Sequence, residues 1–274
     1  MKEAALNGAR PAIEWTRILP LTSVNNFRDY GGWRTRDGAH VEKGVFFRSA
    51  HHARASAADE ARIASLGIRT VVDLRRPPEQ RRQPTVWLER LGLTALTSGD
   101  MVDASEHAPH ILALRNAPQG GSGMRTFMID HYRDLPFEPQ HIDLFRRYFQ
   151  ALAHAEGGVL IHCTAGKDRT GLLAAFTHHL LQVHRDDLME DYLLSNVAGN
   201  IDARLPALIR GLKETYEIAV DTEGARTVLT VEPAYLASAW DAIAQRCGSI
   251  DGYIVDVLGV DGVTGDRIRA RYLT

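Results

Sequence analysis

The chain has 274 residues, 45% of them hydrophobic and 24% charged, with a formal net charge of −2. That length holds one large α/β domain or two small ones, and the apolar share suffices for a buried core. The charge lacks the basic excess that nucleic-acid binding requires, no run has the length of a membrane span, and two cysteines, Cys163 and Cys247, exclude a disulfide framework in favour of a reducing compartment or a reactive thiol.

Residues 1–24 read as an N-terminal arm and 25–274 as a single domain. The opening M-K-E-A-A-L-N-G-A-R-P has no apolar core segment, so no Sec-type signal is expected. A cytoplasmic location follows, with secretion by a route lacking such a signal left open. Phe27 and Tyr30 favour a strand, Gly31-Gly32 permits a turn, and Val45-Phe46-Phe47-Arg48-Ser49 reads as the returning strand of a hairpin. Arg28, Asp29 and Arg48 lie among these aromatics and read as a structural ion pair in preference to a substrate role. Ser56 to Leu66 is predicted as a helix with Ser56 as its cap and Gly67 just past its end. Ile68 to Leu74 reads as a strand suited to burial on both faces. It leads into Arg75-Arg76-Pro77-Pro78-Glu79, read as a loop where the two arginines either draw anions or are solvated.

Leu93 to Thr97 is a weaker strand, followed by the acidic loop Ser98-Gly99-Asp100-Met101-Val102-Asp103. Residues 104–135 contain a breaker-rich stretch around Gly120-Gly121 and read as an insertion, either a lid over the site or a passive surface excursion. Helices are predicted over Glu138–His154, Arg185–Asn196, Ile201–Tyr216 and Glu232–Cys247, with Pro233 in the first turn of the last and Cys247 as a core residue. The order β, α, β, β, long α, β and then an α-rich remainder predicts an α/β fold with a central mixed, mainly parallel sheet flanked by helices.

The chemistry concentrates in V-L-I-H-C-T-A-G-K-D-R-T-G-L-L, Val159 to Leu173. An apolar strand ends, the chain turns tightly, and a helix begins near Arg169. Turn amides and a helix N-terminus converge on an anion there. A cysteine at the base of such a nest is expected to be a thiolate, since similar settings lower thiols to roughly 3.5–7.5. Arg169 offers a planar fork for two phosphate oxygens, and Thr170 can give its hydroxyl to the sulfur. Nucleophile, oxyanion cradle and clamp together describe displacement at phosphorus through a phosphocysteine. A Walker loop would need Gly at Ile161 and Ser or Thr at Asp168, and a sulfur-transfer loop is one residue shorter. His162 reads as a structural ring that fixes the loop.

H-C-T-A-G-K-D-R-T resembles the H-C-x5-R-[ST] loop of the cysteine-dependent protein tyrosine phosphatases, and its Gly166–Thr170 part resembles the PtpB-type bacterial tyrosine and dual-specificity phosphatases. N-F-R-D with F-R-S, E-D-Y-L-L-S-N, and the stretch from Tyr235-Leu236 to Ile254 resemble the same pattern, so the likeness runs nearly the whole chain from Asn25. The resemblance implies a strand–loop–helix phosphatase fold and a phosphomonoester hydrolase acting on phosphotyrosine proteins. It implies Cys163 as nucleophile, with phosphate held by Thr164, Ala165, Gly166, Lys167, Asp168 and Arg169. Asp100 lies where the family carries a mobile acidic loop, without the aromatic-proline lead-in, and is the preferred proton donor; Asp168 is its rival. Asp168 before Arg169 also resembles the loop of myotubularin-type phosphoinositide phosphatases, and Lys167 suits a second phosphate. A phosphoinositide is therefore the alternative substrate. A catalytically dead phosphate-binding module is disfavoured by the intact Cys163, Arg169 and Thr170. Arg169 and the loop amides neutralise the phosphate charge, so neither metal nor cofactor is expected.

Overall fold

The computed structural model describes residues 17–99, 111, 113, 114, 121–154 and 156–274. Five strands form one sheet in the order β1-β2-β5-β3-β4: β1 Arg28–Asp29, β2 Phe46–Ser49, β3 Ile68–Asp73, β4 Thr94–Thr97 and β5 Gly158–His162. β1 pairs antiparallel with β2 and the other pairings are parallel, so the sheet is mixed and mainly parallel, as the element order predicted. β5 is central, with Leu160 in register with Phe47 on one side and Val71 on the other. Successive strand side chains point to opposite faces. Phe46, Val72, Val159 and Ile161 accordingly enter one core, and Phe47, Val71 and Leu160 the other. Burial on both faces is the reason apolar residues dominate β5 and the middle of β3.

Among the described residues the α-helices of four residues or more are α1 Ala57–Ala64, α2 Pro77–Arg82, α3 Trp87–Arg90, α4 Gly121–Asp134, α5 Pro139–His154, α6 Asp168–Leu180, α7 Arg185–Leu193, α8 Ser195–Ala198, α9 Ile201–Tyr216, α10 Thr222–Leu229, α11 Pro233–Cys247 and α12 Gly262–Tyr272. The Ser56 hydroxyl caps α1 by accepting the Asp59 N–H at 3.1 Å. Ile63 of α1 joins Trp87 and Leu88 of α3 over the smaller core. Phe145, Phe149 and Leu152 of α5 pack with Leu172, Leu173 and Phe176 of α6 in the larger one. The helix-rich C-terminal part continues that core through Tyr235, Leu236 and Ile243, and Cys247 packs against it half-buried.

Three stretches differ from expectation or extend it. Arg75 and Arg76 are buried, not solvated, and the chain after them is α2, started by Pro77 and Pro78 in its first turn. Of the predicted arm, residues 1–16 lie outside the described residues. The following residues join the sheet edge, where the Leu19 N–H donates to the Phe27 carbonyl at 3.0 Å. Of the predicted insertion, residues 104–110, 112 and 115–120 lie outside the described residues, while α4 packs against α10 and α11. Among the described residues no helix is long and apolar enough to cross a membrane.

Candidate active site

β5 delivers Cys163 to the carboxyl end of the sheet at its centre, where ligands bind in open α/β sheets. The chain then curls through Thr164–Lys167 and enters α6 at Asp168. In this curl the Gly166 N–H points at Cys163 Sγ at 3.3 Å. The loop carbonyls are tied on the outside. Asn26 Nδ2 donates to Ala165 O at 3.1 Å and to Gly166 O at 2.8 Å, Arg48 Nη2 donates to Gly166 O at 3.1 Å, and the His51 N–H donates to Thr164 O at 3.3 Å. A peptide whose carbonyl is held outward presents its N–H inward, which is how sequence-distant side chains impose an anion-binding curl. Gly166 has φ of 70°, and a Cβ there would lie 2.3 Å from the carbonyl carbon and oxygen of Ser49. Only glycine fits both the left-handed backbone and the gap.

The outer clamp rests on a buried ion triad. Asp191 of α7 receives Arg28 Nε at 3.0 Å and Arg48 Nη1 at 2.6 Å, with all three side chains at most 1% exposed. Burial opposes the Asp191 charge, but the two guanidinium groups hold its carboxyl well below the usual carboxylate range. Burial and the neighbouring Arg48 lower Arg28 to about 10. Arg28 and Arg48 are structural, as the sequence suggested, but their partner is Asp191. Asp29 instead receives the Gly31 and Gly44 N–H groups at 2.8 and 2.7 Å.

Arg169 lies in the first turn of α6. Its Nη1 donates to Glu79 Oε2 at 2.7 Å and to Leu74 O at 3.0 Å, and its Nη2 donates to Glu79 Oε1 at 3.0 Å. Glu79 also accepts the Thr164 hydroxyl and, at 2.8 Å, the Arg76 N–H. Burial opposes both charges. The paired geometry prevails, holding Glu79 far below and Arg169 above their ordinary ranges. The sequence reading missed Glu79. Its signal was available: Pro at the first helical positions with Glu at the third is a helix start, and the Glu faces back toward the turn.

Lys167 Nζ donates to Thr230 O at 2.9 Å and lies 3.3 Å from Asp168 Oδ1. Tyr132 of α4 donates to Asp168 Oδ1 at 2.8 Å, and Tyr192 of α7 donates to the Tyr132 oxygen at 2.8 Å. Burial pushes the Asp168 carboxyl up, but Lys167 and Tyr132 outweigh it and hold it below its ordinary value. The Thr170 hydroxyl is buried with no hydrogen-bond partner among the described residues. His162 sits beneath the loop, its Nδ1 3.4 Å from Cys163 O and 3.7 Å from Asp73, and burial lowers its pKa. Asp73 in turn holds Arg75, whose Nη2 donates to Oδ2 at 2.7 Å. Asp100 lies outside the described residues.

Cys163, Thr164, Ala165, Lys167, Asp168 and Arg169 open into one cavity of about 190 Å³. Its far side is built by α4, α9 and α10 with the turn after α4: Met128, Leu135, Leu208, Val228 and Leu229 form an apolar wall, and Arg204 adds a cation. None of these wall residues was singled out by sequence.

A cysteine at the end of the central strand, a tight curl with an amide on its sulfur and an arginine at the helix start share one cavity, the arrangement the sequence reading expected of a phosphatase. The sequence profile of the tyrosine phosphatase family matches residues 19–274, and the chain belongs to that family. It is 33% identical over 273 residues to a protein of Cupriavidus necator named "Putative tyrosine-protein phosphatase", covering 97% of this chain and 92% of that one. It is 32% identical over 272 residues to the triple specificity protein phosphatase PtpB of Mycobacterium tuberculosis, covering 87% of this chain and 96% of that one. Among solved structures, P. aeruginosa TpbA aligns over 72% of this chain and 96% of its own at 18% identity with a TM-score of 0.32.

Proposed function

We propose that the protein hydrolyses phosphotyrosine esters through a phosphocysteine intermediate on Cys163. The observation that carries this is the cradle itself: an amide aimed at Sγ at 3.3 Å, with the Arg169 fork lining the same cavity. In the first step Sγ attacks phosphorus and the phosphorus–oxygen ester bond breaks. The leaving oxygen takes a proton from an acid, and the equatorial oxygens rest on the loop amides and Arg169. In the second step water attacks phosphorus, the phosphorus–sulfur bond breaks, and inorganic phosphate leaves. Thr170, with an unpartnered hydroxyl, donates to the departing thiolate.

Asp168 is a poor proton donor in this arrangement. Tyr132 and Lys167 both favour its ionised form, whereas an acid must still carry its proton at working pH. That supports Asp100 as the donor and leaves Asp168 to receive a proton from the lytic water. The cavity supports an aryl ester. A cavity of about 150 Å³ lined by apolar side chains holds benzene, so about 190 Å³ with an apolar wall suits one aromatic ring. Lys167 is engaged by Thr230 and Asp168, which weakens one of the two features that favoured a phosphoinositide. The test is phosphate release with reductant and without metal, from a phosphotyrosine peptide, a phosphoserine peptide and phosphatidylinositol monophosphates, by wild type and Cys163→Ser. Release from phosphotyrosine that disappears in the variant is expected. Release mainly from the lipids, or release that survives the substitution, overturns the proposal.

A further inference from the structure

Among the described residues four cations, Arg76, Lys167, Arg169 and Arg204, line the cavity, and three have carboxylate partners. Arg169 is held by Glu79, Arg76 lies 3.4 Å from the same Glu79, and Lys167 lies 3.3 Å from Asp168. Arg204 differs. It projects from the first turns of α9, is half-buried, and donates Nη1 to Gly199 O at 3.1 Å. No carboxylate among the described residues forms an ion pair with it. Burial lowers its pKa without an opposing anion. A partly desolvated guanidinium without a counter-charge is unfavourable unless an anion arrives to meet it. Its planar fork is built to take a carboxylate or phosphate at two oxygens.

Resting on the phosphotyrosine reading above, we infer that Arg204 is a second anion-binding subsite, which selects phosphotyrosine peptides with an acidic residue beside the phosphotyrosine. Leu208, one turn on from Arg204 along α9, and Leu135, Met128, Val228 and Leu229 form an apolar wall in the cavity that the phosphate cradle and this cation share. A phenyl ring buries favourably against such a wall. A polyhydroxylated ring would lose water from hydroxyls that these side chains cannot bond. The second anion is therefore assigned to a peptide carboxylate, not to a further phosphate on a sugar-like headgroup.

The test compares kcat/KM for matched phosphotyrosine peptides carrying Asp, Asn or Lys at the flanking positions, using wild type, Arg204→Gln and Arg204→Glu at low salt. A charge-assisted pair in this setting predicts roughly a tenfold preference for the Asp peptide in wild type. The ratio falls to about one in Arg204→Gln, and the Lys peptide becomes the better substrate of Arg204→Glu. Each ratio is internal to one protein, so a partly unfolded variant leaves it intact. Equal use of Asp and Asn peptides by wild type, or a ratio that survives Arg204→Gln, overturns the inference. So does an Arg204-dependent preference for vesicles bearing phosphatidylinositol bisphosphate over monophosphate with flat peptide ratios. If wild type hydrolyses no phosphotyrosine, the functional reading fails by itself. The same peptides are then titrated against Cys163→Ser, where tighter binding of the Asp peptide that requires Arg204 sustains the subsite and equal binding removes it.

Discussion

Asp191→Asn tests whether the triad beneath the catalytic loop sets its geometry. The carboxylate answers two guanidinium groups, at 3.0 and 2.6 Å, in a region that excludes water. Asparagine keeps the shape but one oxygen, and turns an amide donor toward one of the arginines. Breaking a buried ion pair from one side costs about 3–5 kcal/mol, because the remaining charge stays buried. With an unfolding entropy of roughly 2.1 cal/mol/K per residue, the 274 residues convert that loss into a fall in Tm of about 5–9 °C. Activity should fall too, since Arg48 Nη2 fixes Gly166 O at 3.1 Å. A displacement near 1 Å at a reacting group costs about a hundredfold, so kcat/KM on a phosphotyrosine peptide is expected to drop about 10–100-fold at a temperature where the variant is folded. The folded pKa of Asp191 is depressed, so its contribution is present above the unfolded value of about 3.9 and is lost as pH falls through the folded value. The variant should therefore show a shallower acid limb of stability below about pH 4. Thermal melts and steady-state kinetics decide, with Asp251→Asn, an exposed ion pair to His179, as the control. A wild-type Tm refutes the energetic argument, and a lowered Tm with undiminished cold activity refutes the coupling to the loop.

Four further outcomes follow from the same contacts. Glu79→Gln sets amide donors against the donors of Arg169 and should lower kcat/KM about 10–100-fold with the circular dichroism unchanged; wild-type kinetics would show that Arg169 holds its place without it. Gly166→Ala combines a left-handed φ with a 2.3 Å clash on Ser49 and should cost at least about 2 kcal/mol in urea unfolding, along with activity. Tyr132→Phe removes a donor that favours ionised Asp168, so the acid limb of the pH–rate profile should move to higher pH; a shift of the basic limb instead would make Asp168 the acid. Burial lowers His141 to about 3 and His51 to about 4, and lowers His52, His162 and His178 as well. The unfolded chain takes up these protons below about pH 6.5 and the folded chain resists, so stability is lost as pH falls from there, by up to about 1.4 kcal/mol per pH unit per histidine. A flat urea midpoint between pH 6.5 and 5 would contradict it.

The sheet and the catalytic loop were legible because both are local. β5 is an apolar run and β3 carries Ile68, Val71 and Val72, and the loop holds cysteine, glycine and arginine within a few residues. What the loop leans on was not legible. Arg48 and Asp191 are 143 residues apart, and Arg169 and Glu79 are 90 apart. No periodicity links such positions; only the folded sheet and the helices that follow bring them together. α2 was read as a loop because two prolines and two arginines look like breakers and solvated charge, yet proline fits the first helical turn, where its missing N–H has no partner to lose. α10 was also missed, since T-E-G-A-R-T-V-L is a poor helix former on propensity. Asp221 caps it by accepting the Gly224 N–H at 2.7 Å, and Ala225 and Val228 are buried. Here packing overrides propensity.

The triad also separates two accounts of how the proposed site would attract phosphate. Arg28 and Arg48 share one carboxylate, so one positive charge beneath the loop is unmatched within the triad. It adds to the helix N-terminus, worth about half a charge. If phosphate were drawn by net charge alone, Asp191→Asn would strengthen binding, because it adds a second unmatched charge. If the cradle works by fixed amide directions, the same change weakens binding despite the gain in positive charge, because Arg48 no longer holds Gly166 O in place. Inorganic phosphate inhibition of the variant distinguishes these by sign. The four hydrogen bonds that tie loop carbonyls outward from Asn26, Arg48 and His51 argue for direction over charge. Electrostatic catalysis rests on dipoles that need no reorganisation when charge develops, and the fold spends a buried aspartate to keep these dipoles still.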